Sequence, residues 1–88
     1  MGGLAELGGL VKRSMRIAGR RTSLALEPQF WSELEAQARS RGCSLPKLIE
    51  TIDKQRRQHA PEASLASGVR VFALLNRLGP AHAELRWR

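Results

Sequence analysis

The sequence predicts a mainly α-helical domain with one short strand, and three observations carry that expectation. Thr22, Leu24 and Leu26 alternate with Arg21, Ser23 and Ala25, the period of a half-buried strand. Two stretches downstream, opening at Pro28 and at Leu45, place apolar residues at helical spacing on either side of Gly42. A third apolar stripe follows between Ser64 and Leu78.

Residues 1–11, MGGLAELGGLV, contain four glycines and little to bury, so they read as a flexible N-terminal segment. The chain then turns basic. Between Glu6 and Glu27 there is no acid, while Lys12, Arg13, Arg16, Arg20 and Arg21 all fall in that gap. Met15 and Ile17 suit an extended conformation, but their parity is odd where that of Leu24 and Leu26 is even. One uninterrupted strand would point the two pairs to opposite faces, so a bend or bulge is expected near Ala18-Gly19.

Pro28 suits the first turn of a helix, and Phe30, Leu34 and Ala38 recur at intervals of four with Trp31 alongside. The stripe runs to Arg41, and Gly42 is placed to cap it. Ser44 is a good N-cap for a second helix whose Leu45, Leu48, Ile49 and Ile52 trace one face. Pro46 falls in its first turn, and Lys47 stands where a capping box would need Glu or Gln. That helix is expected to fray into the polar run DKQRRQHAPE, read as a linker ending at Pro61. Leu65, Val69, Phe72 and Leu75 define a third helix, stopped by Gly79-Pro80 and weakened slightly by Gly68. The resulting division is a flexible segment 1–11, a basic arm and helical domain 12–58, a linker 59–63, a C-terminal helix 64–78 and a tail 79–88 carrying Trp87. No internal repeat is evident.

Composition narrows the function. Fifteen Lys and Arg against eight Asp and Glu give a net charge of +7, which favours a polyanionic partner. The 88 residues make one small domain that needs a disulfide, a metal or a second subunit to be comfortable. One cysteine, Cys43, excludes an internal disulfide, and with His59 and His82 it gives no metal-ligand spacing. Neither a metal nor a cofactor is expected. Glu33 and Glu35 have no acid–base partner nearby, so an enzyme is not expected either. No apolar run approaches the ~20 residues of a membrane span, and the N-terminus fits neither a secretory signal nor a myristoylation pattern. A cytoplasmic location with a reduced thiol is expected.

A lone strand leaves unpaired backbone groups at both edges. The economical partner is the same strand from a second copy, paired antiparallel about a two-fold. Leu24 and Leu26 of both chains would then turn onto four helices. A second arrangement open to these residues folds Met15 to Ile17 back on 22–26 through Gly19.

Taken together, RTSLALEPQFWSELEAQARSRGCSLPKLIETI resembles the ribbon-helix-helix DNA-binding domains of the Arc, MetJ and CopG repressors. A short alternating strand, a helix opening just after it, a glycine turn and a Ser-capped second helix follow in order over residues 20–52. The lead-in KRSMRIAGRRTS and the helix SGVRVFALL resemble the bacterial subset in which this domain makes up most of a small protein. The resemblance implies a homodimer, able to assemble further on double-stranded DNA, whose paired strands enter the major groove. It assigns base reading to Arg21, Ser23 and Ala25, although family members commonly carry a hydrogen-bonding side chain where Ala25 stands. It assigns phosphate binding to Cys43, Ser44, Leu45 and Lys47 at the start of the second helix, where exposed amides and the helix dipole attract anions. Lys12, Arg13, Arg16 and Arg20 would add sequence-independent phosphate contacts as a basic arm. Leu24, Leu26, Phe30, Leu34, Leu48, Ile49 and Ile52 would form the dimer core. The implied role is a transcriptional repressor or an antitoxin-like autoregulator. The alternative is a protein-interaction module, tethered by its basic arm and engaging a partner through the C-terminal helix, which an apolar groove at Phe72 and Leu75 would favour.

Overall fold

The computed structural model describes residues 9–77. Two antiparallel strands, β1 (Val11–Ile17) and β2 (Arg20–Leu26), are followed by three helices, α1 (Pro28–Ser40), α2 (Leu45–His59) and α3 (Leu65–Asn76). The ribbon-helix-helix architecture with an added C-terminal helix is therefore present, but there are two strands where one was expected. Their pairing lies within the chain and needs no second copy.

The bend expected at Ala18-Gly19 is a full reversal. Ala18 has φ 52° and Gly19 φ 81°, the pair of left-handed residues that a two-residue type I′ turn requires and that suits the twist of a hairpin. Antiparallel register then sets Ile17 opposite Arg20, Met15 opposite Thr22, Arg13 opposite Leu24 and Val11 opposite Leu26. Paired residues share a face, so odd positions of β1 and even positions of β2 line the same side. The change of parity between Met15/Ile17 and Leu24/Leu26 is what a two-residue hairpin produces.

Helix α1 begins at Glu27, whose carbonyl accepts from the amides of Phe30 and Trp31. It ends in a Schellman motif: Gly42 (φ 69°) donates to the Arg39 carbonyl at 3.1 Å and Cys43 to the Ala38 carbonyl at 3.0 Å. Ser44 caps α2 by accepting from the Lys47 amide at 3.2 Å, and Ser64 caps α3 by accepting from Ser67 at 3.1 Å.

Helix α2 does not fray at Asp53 but continues through the polar run to His59. Asp53 accepts from Arg56 (3.1 and 2.8 Å) and lies 3.5 Å from Arg57, stabilising the last turns along the helix surface. Arg56 also donates to the Ala63 carbonyl at 2.7 Å, fastening the end of α2 to the connection that follows. Its aliphatic stem lies across Gly68, where a Cβ would meet Arg56 Cδ at 3.2 Å. The glycine that weakens α3 as an isolated helix thus allows α2 and α3 to cross closely. The Gly79-Pro80 stop, Trp87 and the N-terminal glycines at 2, 3 and 8 lie outside the described residues.

The core closes inside one chain. Ile17, Leu24 and Leu26 beneath the hairpin meet Trp31, Leu34 and Ala38 of α1, Leu48, Ile49 and Ile52 of α2, and Val69, Phe72 and Ala73 of α3. Six of the residues expected to form a dimer core (Leu24, Leu26, Leu34, Leu48, Ile49 and Ile52) are buried here without a partner chain, and Phe30 packs partly buried against them. The reason is β1: by pairing with β2 and adding Ile17 beneath the sheet, it supplies the strand that a second copy was expected to supply. Trp31 fastens this arrangement, donating its indole N–H to the Val11 carbonyl at 2.8 Å.

Candidate nucleic-acid interface

The hairpin buries one face and exposes the other. Lys12, Ser14 and Arg16 of β1 stand on the solvent face with Arg21, Ser23 and Ala25 of β2, paired as Lys12 with Ala25, Ser14 with Ser23 and Arg16 with Arg21. No acid lies on this face. The residues expected to read bases, Arg21, Ser23 and Ala25, are on it because Leu24 and Leu26 must face the core. Ser14, which alternation alone does not single out, joins them through the register, and its hydroxyl lies 2.9 Å from that of Ser23.

The basic arm is not an arm, because β-pairing fixes each of its cations. Lys12 and Arg16 face solvent, and Arg16 donates one guanidinium N–H to the Gly19 carbonyl at 3.1 Å across the turn. Arg20 is exposed at the tip of the hairpin. Arg13 points the other way. It donates to Glu35 at 2.7 Å and its guanidinium lies 4.7 Å from the centre of the Trp31 ring. Of the four residues expected to follow phosphates from the arm, Arg13 is thus engaged within the fold.

Charge is distributed unevenly for a physical reason. Four acids pair with cations of the helices or with Arg13: Asp53 with Arg56 and Arg57, Glu50 with Lys47, Glu27 with Arg70 and Glu35 with Arg13, whereas Glu33 accepts from the Gln37 amide at 2.9 Å. Among the described residues, no ion pair engages Lys12, Arg16, Arg20 or Arg21. Arg16 stands directly opposite Arg21, and like charges facing across a ladder are destabilising unless an anion comes between them.

Glu27 joins the two ends of the helical layer. It accepts from Arg70 at 2.9 Å, and Arg70 lies 6.0 Å from the centre of the Phe30 ring. The bond from Arg70, with a contribution from the backbone at Glu27 itself, holds this carboxyl below the ordinary glutamate value. Sequence periodicity gives no sign of the contact, because the partners are separated by 43 positions.

The start of α2 offers less than its amide count suggests. The Cys43 amide is used by the Schellman motif and the Lys47 amide by Ser44, while Pro46 has none. The amides of Ser44 and Leu45 remain at the helix N-terminus, beside an exposed Lys47 side chain that lies 3.5 Å from Glu50.

A family comparison agrees with this architecture. The chain matches the ribbon-helix-helix domain family over residues 10–76, and it belongs to that family. Families of this fold are typically DNA-binding transcription regulators that act as dimers, and they are not typically enzymes. Comparison with curated proteins and with solved structures gave no match. No helix among the described residues is long and apolar enough to cross a membrane.

Proposed function

We propose that this protein is a sequence-specific DNA-binding regulator of transcription, a repressor or autoregulator that binds duplex DNA as a homodimer and reads the major groove with its ribbon. The observation that carries this reading is the solvent face of the hairpin, with its unmatched cations and serines on a rigid two-stranded element. A two-stranded ribbon fits the major groove, where Arg can bond bidentately to guanine, Ser can bond to several bases, and Ala can touch a thymine methyl. Lys12 and Arg20 supply phosphate contacts from the flanks, and Ser44, Leu45 and Lys47 supply them from the α2 N-terminus.

The dimer in this proposal rests on the habit of the family, since core burial no longer demands it. Two self-contained chains would each bring a ribbon to the DNA. The protein-interaction reading called for an exposed Phe72, which is 1% exposed in the core; α3 instead exposes Val71 (42%) and Leu74 (53%).

Selection from randomised duplexes, followed by binding of Arg21→Ala and Ser23→Ala, tests the proposal. Arg21→Ala should cost on the order of 1–3 kcal/mol per base contact and relax preference at that base pair, with Ser23→Ala acting in the same direction but less. An unaltered selected sequence and affinity in Arg21→Ala would remove the ribbon as the reading element.

A further inference from the structure

The register exposes a relation between the strands that runs through both faces of the hairpin. Lys12-Arg13-Ser14-Met15-Arg16-Ile17 and Arg21-Thr22-Ser23-Leu24-Ala25-Leu26 share an order of side chains: cation, polar, serine, apolar, variable, apolar. Antiparallel strands are related by a two-fold perpendicular to the sheet, and the pairing of Ser14 with Ser23 places that axis between the two hydroxyls. The axis carries Lys12 onto Arg21, Ser14 onto Ser23 and Arg16 onto Ala25. Beneath the sheet it carries Met15 onto Leu24 and Ile17 onto Leu26, all of which are buried in the core or packed against it. One chain therefore contains the arrangement that two identical strands would make across a dimer.

We infer that the hairpin of a single chain is a complete base-reading ribbon, in which Ser14 and Arg16 of β1 read bases together with Arg21 and Ser23 of β2. This rests on the DNA-binding function proposed above and adds residues to its reading surface. Both β1 side chains are exposed on the same face as the β2 pair. The bond from Arg16 to the Gly19 carbonyl uses one donor and holds the guanidinium near the tip, leaving its other N–H groups to meet a guanine edge. The Ser14–Ser23 bond consumes one hydroxyl hydrogen of two, so the pair presents one free donor together with acceptor lone pairs at the centre of the ribbon. The opposition of Arg16 and Arg21, unfavourable in the free protein, becomes favourable between the electronegative edges of adjacent base pairs.

On the solvent face the two-fold is broken at one place, where Arg16 is related to Ala25. The recognised sequence should be broken in the same place: a guanine is required under Arg16, and the base at the symmetry-related position under Ala25 is selected weakly. Lys12 and Arg21 occupy the other related pair, where both sides carry a cation.

The test is selection from randomised duplexes with the full chain and with Ser14→Ala, Arg16→Ala, Arg16→Lys and Arg21→Ala, each variant also melted thermally to show that it is folded. Arg16→Lys keeps the charge but loses the fork of donors, so it should lose roughly 5- to 140-fold discrimination at one base pair with the salt dependence of binding unchanged. Arg16→Ala should relax the same base pair, distinct from the one relaxed by Arg21→Ala, and Ser14→Ala should relax a third position, displaced from both toward the Lys12–Ala25 end of the ribbon. If Ser14→Ala and both Arg16 variants leave the selected sequence unaltered while Arg21→Ala relaxes it, β1 reads no bases and the inference is overturned, with the DNA-binding function intact. If the unsubstituted chain selects no sequence, both are overturned.

Discussion

Replacing Gly19 with alanine and Ala18 with asparagine should move the melting temperature in opposite directions, because both residues sit at positive φ in the turn that joins the strands. A Cβ at Gly19 would meet nothing within 4 Å, so the effect of Gly19→Ala is confined to the backbone. The left-handed conformation costs an L-residue roughly 1–2 kcal/mol, and the reduced freedom of the unfolded chain returns about 0.4–1 kcal/mol. A net loss of about 1 kcal/mol lowers the melting temperature of a domain this size by roughly 4–8 °C. Ala18 already bears the same strain, and asparagine relieves part of it, giving the Asn-Gly pair that type I′ turns favour. Ala18→Asn should therefore raise the melting temperature by a few degrees. Calorimetry of the two single variants measures both shifts, and repeating it over a range of protein concentrations shows whether unfolding is unimolecular. If neither substitution moves the transition, positions 18 and 19 are not in a left-handed turn, and the strand pairs across chains after all.

Leu26→Ala should cost about 2–5 kcal/mol through the cavity it leaves in the core, which denaturant titration of the variant and the unsubstituted chain at one fixed concentration measures; a loss well below that range would mean that Leu26 is not buried in the core. Glu27 has its folded pKa lowered by Arg70, so the stability from this pair is present above the ordinary value of 4.5 and is lost as pH falls through the folded pKa. Thermal melts of Glu27→Gln should accordingly fall less steeply in acid than those of the unsubstituted chain, and parallel profiles would dismiss the pair as the cause. Arg56→Met should lower stability by about 1–3 kcal/mol by leaving the Ala63 carbonyl and part of Asp53 without a donor, which denaturant titration will measure. In DNA binding, Lys12→Ala should reduce the steepness of the salt dependence by roughly 0.9, while Arg13→Ala should leave that slope unchanged and lower the melting temperature, because Arg13 is engaged by Glu35 and Trp31.

Local chemistry was sufficient for the helices and for one strand. The sequence determined that α1 starts at Pro28 and is terminated by the turn at Gly42, that Ser44 caps the second helix, and that Arg21 and Ser23 face away from the core, because each depends on neighbours a few residues apart. It also contained the sign of the hairpin, in the parity change across Ala18-Gly19. A parity change is equally compatible with a bulge, however, and the charged residues of KRSMRI obscure the alternation of β1. Only the tertiary structure decided that β1 turns back on β2, since strand pairing compares contacts between distant residues that periodicity does not weigh. The same applies to Arg13, whose separation from the exposed cations depends on meeting Glu35 and Trp31, and to α2, whose polar end stays helical because Arg56 finds both Asp53 and the Ala63 carbonyl. The sequence alone placed the cations in the acid-free stretch between Glu6 and Glu27, but only the register of the hairpin decided that Lys12, Arg16 and Arg21 share one solvent face while Arg13 turns to the other.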